Sequence, residues 1–228
     1  DETYPYVCPS DISAQQIPAE EILPYFDWKM FYAIWGVRYG SSSMEAMELV
    51  QLRRDAEDEI SLGNFRIMLS AKFFPAYREN DDIVISDGDA KRRIPMMRQE
   101  KGELRSLCDY IIDKESGRTS PMGCFAVSVH AADAHEEGCC CPACSNKYED
   151  LIGKAVRMTL AEAASSWLDR KILQEMQDNA SGKALKVIKP AAGYSSCPDH
   201  TLKRDILTLL GESPDSHTAV HSHHDHGE

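Results

Sequence analysis

The stretch from position 146 to about 177 constrains the fold most, because it predicts one long helix. It contains no proline and a single early glycine, Gly153. Apolar side chains recur along it at helical spacing and predict its buried stripe: Leu151, Ala155, Met158, Ala161, Trp167 and Leu168. Runs rich in β-branched and aromatic residues predict strands at 65–74, 83–86 and 125–129. Helices and strands therefore interleave irregularly, which indicates an α+β fold with a mostly antiparallel, twisted sheet flanked by helices.

A second helix is predicted in the first third of the chain. Ser41, Ser42 and Ser43 supply N-cap residues, and the helix is expected to end near Leu62, before Gly63. Its buried face is predicted from the spacing of four apolar side chains: Met44, Met47, Val50 and Ile60.

Two shorter signals complete the predicted elements. The sequence Asp87-Gly88-Asp89-Ala90 is typical of a hairpin turn between two strands. Near the end of the chain, Asp199, His200 and Thr201 can cap a short helix over 202–210 that ends at Gly211. Residues 1–211 are therefore expected to form one domain, and 212–228 a histidine-rich, disordered tail.

Charge and hydropathy exclude two classes of partner. The chain has 37 acidic and 25 basic residues, a formal charge of −12, so its field repels a phosphate backbone and nucleic acid is not expected to bind. The sequence contains no run of about 18 apolar residues, so no membrane span is predicted. The first four residues show neither the basic nor the apolar part of a signal peptide, so a cytoplasmic location is expected.

Half of the eight cysteines lie in one short segment, as Cys139, Cys140, Cys141 and Cys144. Cys141 and Cys144 have the CxxC spacing that lets two thiolates bind one Zn²⁺ or form one disulfide. His130 and His135 are close in sequence. The segment predicts a metal or redox site, with zinc or another thiolate-bound metal as its occupant; incidental loop thiols are the alternative interpretation.

Asp27 is an acid among large apolar neighbours, in the segment Tyr25-Phe26-Asp27-Trp28 followed by Phe31 and Trp35. A carboxylate in such surroundings is paired, or lies at the edge of a cleft, because burying it alone is costly. Asp27 is therefore expected to be a helix N-cap, to make a buried structural hydrogen bond, or to bind a ligand.

Three segments resemble the activation (reactivation) domain of cobalamin-dependent methionine synthase. The first is the aromatic segment around Asp27. The second is Phe74-Pro75-Ala76-Tyr77-Arg78 with Asp81-Asp82-Ile83, and the third is the run from Lys189-Pro190-Ala191-Ala192-Gly193-Tyr194 to Cys197-Pro198-Asp199-His200-Thr201. They occur in the order that the family shows.

The resemblance implies a C-shaped, single-sheet α+β domain that binds S-adenosylmethionine in a groove. It further implies that Asp27 holds the amino group of the ligand, Lys189 its carboxylate, and Ala191, Gly193 and Tyr194 the wall of the groove. No side chain is expected to act as a catalytic acid or base. The implied partners are a corrinoid or cobalamin-binding methyltransferase module acting in trans and a reductase such as flavodoxin.

The chain also departs from this family. Lys189 stands where the family has an arginine. A planar guanidinium, which can donate two parallel hydrogen bonds to a carboxylate, is thus replaced by a compact ammonium that acts as a point charge. Most of the family's late, tyrosine-containing segment has no equivalent in this sequence. The family also has an acidic ligand contact on its long helix, and that position aligns with Arg170, beside Asp169. An alternative function is therefore a metal- or corrinoid-handling protein on the same scaffold, which uses the cysteine segment and has lost the S-adenosylmethionine site.

Overall fold

The computed structural model describes residues 7–36, 43–63, 65–131, 147–178, 186–193 and 197–211. The main elements, in chain order, are β1 (Ile12–Ile17), α1 (Ala19–Ile22), α2 (Trp28–Ile34), α3 (Ser43–Leu62), β2 (Arg66–Glu79), β3 (Asp82–Asp87), β4 (Ala90–Pro95), β5 (Ser120–His130), α4 (Lys147–Asp178) and α5 (Leu202–Leu210). Short 3-10 turns lie at Leu23–Tyr25, Leu107–Tyr110 and Lys114–Ser116. The predicted α+β fold, both longer helices, the strands and the short last helix are confirmed.

The five described strands form one sheet in the order β1-β2-β3-β4, with β5 also paired to β2. Strand β3 runs antiparallel to both β2 and β4. The predicted hairpin is confirmed: Asp87 pairs with Ala90 across a two-residue loop, and Gly88 has a φ of +60°. Glycine adopts this left-handed conformation without steric cost, so the loop can match the twist of the strands.

Strand β4 lies at one end of this order and carries exposed basic residues, Lys91, Arg92 and Arg93, followed by Pro95. Only Ile94 of this strand is buried. Lysine, arginine and proline on an edge strand oppose pairing with the edge of another chain.

The described chain divides into two compact units. The hairpin unit, as we call it, contains the described parts of Asp1–Gln15, Leu69–Ala126 and Leu168–Glu228, and the helix unit those of Gln16–Met68 and Val127–Trp167. The core of the hairpin unit is formed by apolar residues of β2, β3, β4, β5 and α5: Phe74, Ala76, Ile83, Ile85, Ile94, Cys124, Leu202 and Leu209. The assignment of residues 1–211 to one domain stays a prediction.

In the helix unit, aromatic side chains in and just before α2 pack against one another. The ring centroids of Phe26 and Trp28 are 4.7 Å apart, and those of Trp28 and Phe31 are 5.6 Å apart. The guanidinium of Arg53, on α3, lies 4.4 Å from the centroid of the Trp28 ring. The tilted and edge-on ring contacts, together with this cation–π contact, stabilise the start of α2 beyond the burial of apolar area.

The predicted buried face of α3 is wrong. Met47 and Val50 are 75% and 53% exposed, whereas Leu52 and Ala56 are buried. At about 100° per residue, Met47 lies half a turn away from Ala56, so the two sets occupy opposite sides of the helix. In α4 the predicted stripe is confirmed at Ala155, Ala161, Trp167 and Leu168, but Leu151 is 52% exposed. No helix of the described residues is long and apolar enough to cross a membrane.

A network of ion pairs fixes the segment after β4 to the turn between β2 and β3. Arg98 donates from Nη2 to Asp81 Oδ1 at 2.6 Å, and from Nη1 to Asp109 Oδ2 at 2.9 Å. Arg78 donates from Nη2 to Asp113 Oδ2 at 2.8 Å. The hydrogen bonds from Arg98 and from the backbone N–H of Ser106 hold the pKa of Asp109 below its ordinary value.

We expect Arg98→Gln to lower the stability of the protein in a pH-dependent way. Because the folded-state pKa of Asp109 is lowered, its stabilising effect is present above its unfolded pKa, about 3.9, and is lost as pH falls through the folded value. The deficit in urea midpoint relative to wild type is therefore constant above about pH 5 and shrinks below about pH 4.

The control for this experiment is Arg92→Gln, since Arg92 is exposed and makes no ion pair with any described residue. It is expected to leave the midpoint unchanged throughout. A deficit in Arg98→Gln that persists unchanged at the acid end of the range contradicts the assignment.

Candidate ligand-binding site

The turn before α5 brings its backbone against a side chain at one position, Gly193. Gly193 has a φ of +102°, and its N–H donates to the carbonyl of Cys197 at 2.7 Å. A Cβ added to Gly193 would lie 2.1 Å from Cε1 of His200, which is far inside van der Waals contact. Both the backbone conformation and the imidazole ring therefore require glycine here.

The beginning of α5 anchors this turn. The carboxylate of Asp199 accepts from the backbone N–H of Thr201 at 2.8 Å and from its hydroxyl at 2.7 Å. These two hydrogen bonds hold the pKa of Asp199 below its ordinary value. Ala192 and Cys197 are buried in the core of the hairpin unit, and burial raises the pKa of the Cys197 thiol. The turn is thus attached to the core on both sides of Gly193.

Lys189 lies at the start of the same turn and faces an acid of α4. Its Nζ is 2.8 Å from Oδ2 of Asp169 and 5.7 Å from the centroid of the Phe125 ring. The side chains of Lys189 and Asp169 are 25% and 29% exposed. The other oxygen of Asp169, Oδ1, is buried and receives no hydrogen bond from the described residues. The site therefore contains a largely desolvated ion pair.

Asp27 belongs to the helix unit and caps α2. Its Oδ1 accepts from the backbone N–H groups of Lys29 at 2.8 Å and Met30 at 3.3 Å, and its backbone is extended, with φ −87° and ψ 97°. This is the geometry of an N-cap. The helix-cap interpretation of Asp27 is confirmed, and its part in ligand binding stays a prediction.

A family model, "Vitamin B12 dependent methionine synthase, activation domain", matches residues 18–220. The chain belongs to this family. Among solved structures it is similar to the crystal structure of the MetH reactivation domain bound to AdoHcy, with a TM-score of 0.69 and 24% identity. The similarity covers 92% of this chain and 74% of that one, and it shows that the two share a fold. The family resemblance seen in the sequence is confirmed.

In this activation domain, three of the predicted binding residues lie in one turn: Lys189, Ala191 and Gly193. Tyr194 lies outside the described residues, and so do Cys139, Cys140, Cys141 and Cys144 and the tail after Gly211. Within the described ranges, no three His, Cys, Asp or Glu side chains are close enough to hold a metal ion. The metal or redox role of the cysteine segment stays a prediction.

Two residues of the site were not predicted to belong to it, Asp169 and Phe125. Asp169 follows the buried Leu168 on α4, and an acid directly beside a buried position is a signal for a partnered carboxylate. The sequence gives no signal for the choice of partner, because 20 positions separate Asp169 from Lys189.

We expect Asp27→Ala to destabilise the domain by about 1 kcal/mol and Asp27→Asn to change its stability by less than about 0.5 kcal/mol. Asparagine retains a side-chain oxygen that accepts the two backbone hydrogen bonds, whereas alanine does not. Urea unfolding of the three proteins measures both values. Equal losses in the two variants would show that the charge of Asp27, and not the cap, is what the fold requires.

Gly193→Ala is expected to cost about 2 kcal/mol or more, because the new Cβ meets His200 and alanine resists a positive φ. Measured in a His200→Ala background, the same change costs about 1 kcal/mol, since only the backbone strain remains. Thermal or urea unfolding of the four proteins in this cycle gives both numbers. Identical costs in the two backgrounds would contradict the close approach of the imidazole.

Proposed function

We propose that this activation domain binds S-adenosylmethionine at the turn from Lys189 to Gly193 and positions its methyl group for reductive methylation of cobalamin held by a methyltransferase module. The observation that carries the proposal is a largely desolvated cation, Lys189, followed four positions later by Gly193, whose φ of +102° and contact with the His200 ring hold the turn in one conformation. The similar MetH reactivation domain is described as bound to AdoHcy, the demethylated form of the same molecule.

The residues fit such a ligand by charge and by shape. A lysine ammonium attracts the α-carboxylate of the amino-acid tail, and it does so more strongly when it is partly desolvated. We assign the contact with the nucleoside to the backbone of Ala191 and Gly193, which is held in one conformation at Gly193. The family resemblance assigns two further residues to the same ligand, Tyr194 and Asp27.

The proposed contribution of the domain to the reaction is positioning. When bound, S-adenosylmethionine supplies an activated methyl group on a sulfonium. The chain fixes the ends of the ligand, so that the methyl is held in one orientation, which lowers the entropic part of the barrier. Reductive methylation also consumes an electron, and we assign its supply to a reductase such as flavodoxin.

Calorimetric titration with S-adenosylmethionine and with S-adenosylhomocysteine tests the proposal. Wild type is expected to bind both, and Lys189→Gln to bind at least about tenfold more weakly, because a charge-assisted hydrogen bond is lost. Lys186→Gln is the matched control: this exposed lysine lies three positions before Lys189, and its removal is expected to leave binding unchanged.

Absence of binding heat at millimolar ligand, with wild type folded by its thermal transition, overturns the proposal. Equal weakening in the two lysine variants contradicts the assignment to Lys189, because it would reflect the general charge of the domain and not a specific contact.

A further inference from the structure

We propose that His200 is a positioning residue of this site: its imidazole ring restrains Gly193 and thereby holds the backbone assigned to the nucleoside in its binding conformation. The inference rests on the proposed function, because it names the side chain that orders one half of the same site. His200 is not among the ligand-binding residues that the family resemblance implies.

The first argument is the contact between the ring and the glycine. A Cβ added to Gly193 would lie 2.1 Å from Cε1, 2.4 Å from Nδ1 and 2.9 Å from Nε2 of His200. Three atoms of one ring therefore occupy the space that the side chain of any other residue would need. The imidazole of His200 lies directly against the backbone of the turn.

The second argument is that glycine alone does not fix the turn. Gly193 has a φ of +102°, which residues with a Cβ rarely adopt, but glycine adopts negative φ values about as readily as positive ones. The hydrogen bond from its N–H to the carbonyl of Cys197, at 2.7 Å, restrains the residue at its nitrogen. The ring of His200 restrains it at the α-carbon, which no hydrogen bond can do.

The third argument is that the backbone of His200 is itself anchored while its ring is not part of the core. Asp199 accepts two hydrogen bonds from Thr201, one on each side of His200 in the chain. Cys197 and Leu202 are buried in the core of the hairpin unit, whereas His200 is exposed. Removing the ring therefore takes little out of the core, and its main effect is on the turn.

The expected effect is a change in the population of the binding conformation. When only a fraction of the molecules has the competent conformation, the apparent affinity is reduced by that fraction. Ordering one backbone residue again on binding lowers the affinity by about fivefold or more. The loss is the same for every ligand that contains the nucleoside, with or without an amino-acid tail.

Calorimetric titration of wild type, His200→Ala and His200→Phe tests this inference with two ligands. S-adenosylhomocysteine carries the amino-acid tail, and 5′-methylthioadenosine has the same nucleoside and thioether without it. His200→Ala is expected to bind both ligands about fivefold or more weakly, by the same factor. His200→Phe keeps a flat ring beside Gly193 and is expected to bind both within about twofold of wild type. Lys189→Gln, in contrast, is expected to weaken S-adenosylhomocysteine alone.

Hydrogen exchange of the Gly193 amide, followed by NMR without ligand, reports directly on the turn. We expect exchange to be about fivefold or more faster in His200→Ala and unchanged in His200→Phe. The melting temperature of His200→Ala is expected to fall by less than about 2 °C, because the side chain is exposed. Faster exchange at Gly193 then reflects local opening of the turn.

Arg204→Ala is the matched control, since it truncates another exposed side chain one helical turn further along, on α5. It is expected to leave both affinities and the exchange of Gly193 at their wild-type values. If His200→Ala does not fold, His200→Asn replaces it, because its shorter side chain lacks atoms at the positions of Cε1 and Nε2. It is expected to bind both ligands at least about twofold more weakly than wild type.

The outcomes separate this inference from the proposed function. If wild type binds neither ligand, the proposed function itself fails. If wild type binds both ligands and the His200 truncation binds them equally well, the proposed function stands and the positioning role is wrong. A loss confined to S-adenosylhomocysteine places His200 at the tail and also overturns the inference. A loss in His200→Phe as large as in His200→Ala shows that the ring nitrogens themselves are needed, which again contradicts it.

Discussion

Strand β2 is the element on which the sheet depends, because it pairs with β1, β3 and β5. Pro75 of β2 marks the end of its pairing with β3. Pro75 has no N–H to donate, and pairing with β3 begins at the next residue, Ala76. One strand of 14 residues can thus pair with different strands along its length. The β3–β4 hairpin follows the C-terminal end of β2. Near that end, the ion pairs of Arg78 and Arg98 hold the segment after β4 in place.

Much of this architecture is predictable from local sequence, since turns and caps act over a few residues. Gly88 determines the hairpin loop, and Gly211, with a φ of +76°, ends α5 where the sequence predicts it. Burial is less predictable. In α3 the sequence offers apolar residues on two sides of the helix, and Met47 and Val50 are on the side that stays exposed. Which side packs is decided by neighbouring elements, and periodicity alone contains no information about them.

The residues of the candidate site also differ in how far they could be predicted from the sequence. The turn around Gly193 could be found from sequence, because a motif of adjacent residues carries it. The environment of Lys189 could not be found, because its charge partner comes from a different element, α4, and the choice between Asp169 and Arg170 depends on the rotation of that helix. Asp27 shows the opposite case: its role as a cap is local and therefore visible in the sequence, whereas any role in binding depends on distant groups.

The conformation of Gly193 has an evolutionary consequence. With a φ of +102° and the His200 ring against its α-carbon, this position has no tolerated substitution that keeps the turn unchanged. A lineage that keeps this turn must therefore keep glycine here, and a change in ligand preference is expected to come through the side chains around it. Lysine at position 189, where the resemblance places an arginine, is a substitution of that kind: it replaces a planar guanidinium with a point charge and requires no change in the path of the chain.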